Sequence, residues 1–202
     1  MPLWLAPRPL VLASKSEVRR KILAAAGVPL EIKPADIDER GIESRAGVNE
    51  PSAAANLLAH AKAWAASEHL PERLVLGADQ TLAFGTRRFS KPKDRNAAFA
   101  QLKALAGGTH ELHTAIALIR DGAVLFEHVE VARLTVRRIS DEFLDTYLTL
   151  IGDAALASVG AYQVEGMGAQ LFERIEGDYF TILGLPLLPL LDFLRRGGFI
   201  LS

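Results

Sequence analysis

A polar segment that follows an apolar run has the composition of an anion site. Leu10–Ala13 is apolar, Ser14-Lys15-Ser16 comes directly after it, and the helix predicted next carries Arg19 and Arg20 in its first turns. Free backbone N–H groups at a helix N-terminus attract anions. Serine hydroxyls donate hydrogen bonds, and a guanidinium can hold a phosphate through two N–H groups. The pattern predicts a phosphate site. The plain alternative is a helix cap followed by solvated charges.

An acidic residue at the end of an apolar strand is the second feature with chemical potential. The run Leu74-Val75-Leu76 leads into Gly77-Ala78-Asp79. A carboxylate in this place can serve as a general base or as a ligand of Mg²⁺ or Mn²⁺, ions that usually bridge a protein to substrate phosphates. Glu39, in the acidic stretch Asp36–Glu39, could join Asp79 around such a cation. The alternatives are a turn aspartate and a solvated acidic loop.

Two lysines and one glycine-rich segment complete the candidates. Lys62 lies on an alanine-rich helix, and Lys91 lies in a loop stiffened by Pro92; each could meet a phosphate or simply face solvent. Glycines in Gly160–Gly168 permit close approach to a ligand, and Glu165 among them could accept hydrogen bonds from a nucleobase edge. The five histidines show no tight metal-ligand spacing, and His110 is expected to cap or brace a strand.

Helices and strands that alternate along the chain must position these residues. Apolar spacing and capping residues predict helices over residues 17–26, 52–69, 94–106, 140–150 and 186–196. Short apolar or alternating runs predict strands over residues 10–13, 30–33, 73–76, 111–120, 124–136, 171–175 and 179–183. Residues 34–50 are polar and acidic, which favours a loop. Early alternation and a late hairpin around Asp121-Gly122 predict an α/β fold with a mixed sheet flanked by helices.

Composition removes several classes of function. The formal net charge of −1 over 202 residues argues against a nucleic-acid partner, which usually requires a basic excess. The absence of cysteine excludes disulfides, thiolate zinc sites and a cysteine nucleophile, and it fits a cytoplasmic location. Apolar stretches are too short for a membrane helix, so no membrane partner is expected.

In order and spacing, the motifs resemble those of the Maf family of nucleotide pyrophosphatases over about nine tenths of the chain. The segments that carry the resemblance are Ser14-Lys15-Ser16-Glu17-Val18-Arg19-Arg20, Asp38-Glu39, Ala59-His60-Ala61-Lys62-Ala63, Gly77-Ala78-Asp79, Lys91-Pro92, Thr109-His110-Glu111-Leu112-His113-Thr114, Ala161-Tyr162-Gln163-Val164-Glu165-Gly166, Glu173–Tyr179 and Gly184-Leu185-Pro186-Leu187. Glu17 stands where the family pattern has proline. No single segment is specific, but their joint order is.

The resemblance implies one Maf- and ITPase-like domain over residues 1–202, with an elongated mixed sheet and two lobes around a cleft, often as a homodimer. It implies hydrolysis of a nucleoside triphosphate to the monophosphate and pyrophosphate with a divalent cation such as Mg²⁺, Mn²⁺ or Co²⁺. Asp79 and Glu39 would be the catalytic and metal-binding carboxylates. The candidate substrate-binding residues, from chemistry and resemblance together, are Ser14, Ser16, Arg19, Arg20, Lys62 and Lys91.

Subgroups of the family differ at three specificity positions, which here are Val18, Gln80 and Glu165. Glutamine after the catalytic aspartate and glutamate in the late glycine-rich segment are similar to the subgroup that acts on 7-methyl-GTP, in which tryptophan is typical at the position of Val18. Glutamate also suits the N–H donors of a guanine edge. Two alternatives remain: a nucleotide-binding regulator of septum formation with little turnover, and an enzyme acting on another phosphorylated small molecule, such as a sugar phosphatase.

Overall fold

The fold is a seven-stranded mixed sheet flanked by helices, as seen in a computed structural model that describes residues 3–202. The strands are β1 (Leu10–Leu12), β2 (Leu30–Ile32), β3 (Val75–Phe84), β4 (Arg87–Phe89), β5 (Thr109–Arg120), β6 (Ala123–Val136) and β7 (Phe172–Glu176). The helices are α1 (Glu17–Ala25), α2 (Glu39–Ala46), α3 (Pro51–Ser67), α4 (Arg95–Leu105), α5 (Asp141–Ile151), α6 (Tyr179–Ile182) and α7 (Leu187–Arg196).

The sheet combines a parallel part with an antiparallel part, as the sequence predicts. Its order is β2-β1-β3-β5-β6-β7, and β4 pairs with β3. Strand β1 is parallel to both β2 and β3, whereas β3–β4 and β6–β7 are antiparallel. None of the helices within residues 3–202 combines the length and the apolar composition of a membrane span.

The chain divides into two compact units. The first unit runs through Asp79 and includes Thr114–Glu130 and Asp178–Ser202, and the second consists of Gln80–His113 and Val131–Gly177. In the first unit, leucines of β1, β3 and β5 pack with leucines of α7 into a buried apolar core. In the second, buried leucines of α4, β6 and α5 form the interior. The first unit contains most of the candidate site residues.

Alanines bring helix α3 unusually close to the sheet. Ala55, Ala59 and Ala63 are fully buried against small residues of β5. Gly77 of β3 lies directly under this helix, where an added Cβ would overlap the carbonyl oxygen of Ala59 and would lie 2.7 Å from the backbone nitrogen of Ala63. Only glycine fits this contact, and the contact places Lys62 of α3 beside the end of the apolar part of β3.

Gly77→Ala is therefore expected to destabilise the fold by roughly 3 kcal/mol, because backbone atoms on both sides must move apart. The free energy of unfolding in urea measures this loss. Gly166→Ala is the matched control, since its nearest neighbour, the Gln163 carbonyl oxygen, is 3.9 Å from the new Cβ. Equal stability of the two variants would contradict the proposed close approach.

Two elements differ from the sequence prediction. The expected loop over residues 34–50 contains helix α2. Asp38 caps its start by accepting a hydrogen bond from the Gly41 amide (3.0 Å), and Gly47, which has a φ of 61°, ends it. None of its residues is buried, so no apolar pattern reveals it. The expected strand over residues 179–183 is helix α6, because Asp178 caps the Thr181 amide (2.9 Å).

His110 braces strand β5 from inside the second unit, as the sequence predicts. The side chain is fully buried, and its Nε2 lies 2.6 Å from the hydroxyl of Tyr162. Burial lowers the pKa of His110 from its usual 6.5 to about 4. In the unfolded chain the same imidazole binds a proton near its usual pKa, so the unfolded state gains protons first as the pH falls.

The stability of the protein should consequently decrease between about pH 6.5 and pH 4, with up to about 3 kcal/mol of the loss due to His110. Above that range the contribution is fully present. Urea unfolding across this pH range measures it, and the double variant His110→Leu/Tyr162→Phe should show a correspondingly shallower pH dependence. An unchanged slope would mean that the imidazole takes up its proton over the same pH range in the folded and unfolded states.

Candidate active site

The polar segment after β1 forms the start of helix α1. Ser16 is the N-cap, and its hydroxyl accepts a hydrogen bond from the amide of Arg19 at 3.3 Å. The hydroxyl of Ser14 accepts one from the amide of Ser16 at 3.2 Å. Ser14 is buried and Ser16 half-buried. The predicted strand–turn–helix arrangement is therefore present, with both serines at the helix N-terminus.

Arg19 is buried and connects three distant parts of the first unit. Its Nη1 donates to the carbonyl oxygen of Ala78 (2.8 Å) and to the hydroxyl of Ser14 (3.2 Å). Its Nε donates to the carbonyl oxygen of Gly184 (2.7 Å). Burial lowers the pKa of Arg19, while the carboxylates of Asp79 and Glu39 oppose that shift. An arginine stays cationic in proteins, so this residue is a buried positive charge beside the acidic residues.

Arg20 points away into solvent. It forms an exposed ion pair with Glu17, and this pairing raises the pKa of Arg20. The resemblance assigns phosphate binding to Arg20, whereas Arg19 is the arginine that the structure places against the carbonyl oxygen before Asp79. Helical spacing in the sequence indicates which of the two arginines is buried. Arg19 lies three and four residues before Ile22 and Leu23, with which it forms the buried face of α1.

Lys62 lies between two carboxylates. Its Nζ is 2.6 Å from Oδ1 of Asp79 and 2.8 Å from Oε1 of Glu39. The side chains of Lys62 and Asp79 are only 13% and 12% exposed, whereas that of Glu39 is 50% exposed. We call these three residues the acid–lysine cluster. The sequence nominates all three, and the structure brings them together.

The close contact at Gly77 explains how helix α3 delivers Lys62 to this cluster. Glu39 is the first residue of α2, and Asp79 follows Ala78, whose carbonyl oxygen is held by Arg19. The helix N-terminus with its two serines, the buried guanidinium and the acid–lysine cluster all belong to the first unit. This unit therefore combines donors for an anion with carboxylates that can hold a cation or a water.

The remaining predicted residues lie elsewhere. Val18 is half-buried and packs against the apolar core of the first unit. Gln80, Lys91 and Glu165 belong to the second unit. Gln80 is half-buried in β3, Lys91 is exposed in the segment between β4 and α4, and Glu165 is exposed in a turn before residue 167. The sequence analysis names Gly184 only as part of a motif and misses its carbonyl oxygen, which accepts a hydrogen bond from Arg19.

The capacity for a cation rests on the two carboxylates of the cluster. Among the described residues no group of three or more histidine, cysteine, aspartate and glutamate side chains is placed to hold a metal ion. Mg²⁺ is commonly bound through one or two carboxylates, with waters and substrate phosphates as its other ligands. Asp79 and Glu39 fit that mode of binding, which requires the phosphate to be present.

Comparison with known proteins identifies the family to which the chain belongs. The family described as Maf-like protein matches residues 9–197. A protein of Rhodopseudomonas palustris (strain HaA2) named nucleoside triphosphate pyrophosphatase is 60% identical over 195 residues, covering 96% of each chain. A protein of Rhizobium etli named 7-methyl-GTP pyrophosphatase is 54% identical over 192 residues, covering 94% of this chain and 96% of its own. With nearly its whole length matched by the family and by these relatives, the chain belongs to the Maf-like protein family.

Proposed function

We propose that this protein is a nucleotide pyrophosphatase, which hydrolyses a nucleoside triphosphate to the monophosphate and pyrophosphate. The observation that carries the proposal is the acid–lysine cluster beside the buried Arg19. Relatives that are similar to this chain are named for this activity. Acids and cations at hydrogen-bond distance in one partly buried site can both activate a water and neutralise phosphate charge.

The anionic end of the substrate is bound by the start of α1. Backbone N–H groups there, with the hydroxyls of Ser14 and Ser16, offer donors to phosphate oxygens. The ammonium of Lys62, 2.6 Å from Oδ1 of Asp79, adds a positive charge to the site. We include Arg20 and Lys91 as further phosphate contacts on the strength of the family motifs. Arg19→Gln should lower kcat/KM for pyrophosphate release more than Arg20→Gln, because Arg19 contacts the carbonyl oxygen before Asp79 and Arg20 is exposed.

The reaction itself requires a base and a stabilised leaving group. Asp79 accepts a proton from a water as the water oxygen forms a bond to the α-phosphorus, and the bond from that phosphorus to the bridging oxygen of pyrophosphate breaks. Lys62 neutralises charge that develops on the leaving pyrophosphate. Glu39 orients the water or shares a divalent cation with Asp79. Mg²⁺, Mn²⁺ or Co²⁺ bound there would supply additional charge neutralisation on the phosphates.

The proposed base is guanine or 7-methylguanine. Glu165 offers a carboxylate to the N–H donors of a guanine edge, and Gln80 and Val18 complete the specificity positions. The relative named 7-methyl-GTP pyrophosphatase supports this choice. We further propose that the enzyme acts on free nucleotides in the cytoplasm, as a homodimer, without a nucleic-acid partner.

A substrate panel tests the proposed function. Common and modified nucleoside triphosphates, including GTP, 7-methyl-GTP and UTP, are incubated with the protein and Mg²⁺, Mn²⁺ or Co²⁺, and pyrophosphate and orthophosphate are measured separately. We expect metal-dependent release of pyrophosphate with a preference for the guanine nucleotides. Release of orthophosphate would indicate a phosphatase. Binding without turnover of any nucleotide would indicate a regulator.

A further inference from the structure

The segment that precedes Glu165 has an unusual backbone within the second unit. Ala161 is fully buried and has a φ of +58°, a left-handed conformation that residues with a side chain rarely adopt. Gly160, directly before it, has a φ of +86°, and an added Cβ there would lie 2.8 Å from Leu82. Such a conformation persists only where the surroundings hold it in place.

Three side chains hold this segment. The hydroxyl of Ser158 donates to the carbonyl oxygen of Tyr162 at 2.6 Å, and the hydroxyl of Tyr147 lies 3.4 Å from the carbonyl oxygen of Ala161. The hydroxyl of Tyr162 is paired with Nε2 of His110 at 2.6 Å, and both side chains are buried. The Tyr162 ring also meets the ring of Phe172 edge-on at 4.8 Å between centroids. Tyr162 is therefore anchored at both its backbone and its side chain.

The chain beyond Tyr162 closes into a tight turn that carries Glu165. The amide of Gly166 donates to the carbonyl oxygen of Gln163 at 3.2 Å. Gly168 packs against the backbone of Gln163, so that an added Cβ would lie 2.8 Å from the Gln163 nitrogen. Glu165 is exposed at this turn, and its position is set by the anchored residues before and after it.

We propose that His110 and Tyr162 are positioning residues for base recognition, because their buried hydrogen bond fixes the turn that presents Glu165. The inference rests on the proposed role of Glu165 at a guanine edge. A carboxylate on a fixed turn loses little conformational freedom when it binds, whereas the same carboxylate on a loose turn must be ordered by each substrate. The pair thus acts on base selection and leaves the phosphate chemistry of the acid–lysine cluster unchanged.

A double-mutant cycle tests this role. The ratio of kcat/KM for 7-methyl-GTP to that for UTP is measured for the wild type, Tyr162→Phe, Glu165→Gln and the combination. Tyr162→Phe should lower the ratio about threefold to tenfold, the equivalent of one hydrogen bond, mainly through KM for 7-methyl-GTP. In the Glu165→Gln background the same change should have less than about a twofold effect. Tyr179→Phe, at an exposed tyrosine, is the matched control.

A second variant separates positioning from loss of stability. Nδ1 of His110 has no hydrogen-bond partner within residues 3–202, so Tyr162→Phe leaves both ring nitrogens buried and unpaired. His110→Leu/Tyr162→Phe removes these polar atoms, which should restore stability while the positioning bond is still missing. It should show the same reduced ratio.

Each contrary outcome has a distinct meaning. A normal ratio in His110→Leu/Tyr162→Phe would overturn the positioning role, as would an equal loss from Tyr162→Phe in both backgrounds. An unchanged ratio in Glu165→Gln would overturn the proposed base contact together with the inference that depends on it. Pyrophosphate release by the wild type would in that case still stand as the proposed activity.

Discussion

Asp79→Asn is expected to lower kcat for pyrophosphate release by about a thousandfold, because asparagine can neither accept the proton of the attacking water nor offer a charged oxygen to a cation. The side chain keeps its size. Lys62 retains its ion pair with Glu39 at 2.8 Å, so the fold should remain intact. Single-turnover measurements with saturating nucleotide, together with the urea unfolding transition, check both parts of this result.

The control for this experiment is Asp192→Asn. Asp192 forms an exposed ion pair with Arg196 on helix α7, so the substitution removes one carboxylate from the same unit without touching the cluster. Its activity should equal that of the wild type. If Asp79→Asn kept more than about a tenth of the wild-type kcat, Asp79 could not be the base that this mechanism requires.

Lys62→Met is expected to lower kcat/KM by about a hundredfold, because the charge that opposes the developing negative charge on pyrophosphate is removed. The loss should fall mainly on kcat, since the interaction strengthens in the transition state. The two carboxylates would then lose the ammonium that lies between them, and Arg19 would remain as the nearby positive charge. Steady-state kinetics over a series of divalent cation concentrations measure the effect.

Two further substitutions serve as controls for Lys62→Met. Lys62→Arg keeps the positive charge and should retain more activity than Lys62→Met, although its planar group will meet Asp79 and Glu39 differently. Lys103→Met removes an exposed lysine that pairs with Asp141 in the second unit and should have no effect. Equal activity of the Met and Arg variants would show that position and shape, rather than charge, make Lys62 important.

Local sequence signals predict most of the elements because those signals are strong where side chains are buried or caps are formed. The long strands of the β5–β6 hairpin and helix α5, capped by Ser140, follow the predicted pattern. Helix α2 is not predicted because it has capping residues but no buried face. Helix α6 is wrongly predicted as a strand because a four-residue helix has the same apolar composition as a short strand.

The candidate site could be predicted as a set of residue types but not as a geometry. Asp79, Glu39 and Lys62 each have chemistry that the sequence displays. Lys62 and Asp79 are 17 positions apart in the sequence, however, and the close packing of α3 on β3 at Gly77 brings them together. Helical spacing from Ile22 and Leu23 does indicate that Arg19, rather than Arg20, lies on the buried face of α1. The carbonyl oxygen of Gly184 carries no side-chain signal at all, because any residue supplies the same atom.

The three acceptors of Arg19 have a consequence for protein synthesis. Ser14 and Ala78 leave the ribosome early, whereas Gly184 emerges about 5 to 20 seconds after Ala78 at usual elongation rates. Until then the Nε of Arg19 lacks the acceptor that it has in the folded protein. Chains that end before residue 184 should therefore lack the hydrogen bond between Arg19 and Gly184, and they should fold this part of the first unit less stably than chains that include it.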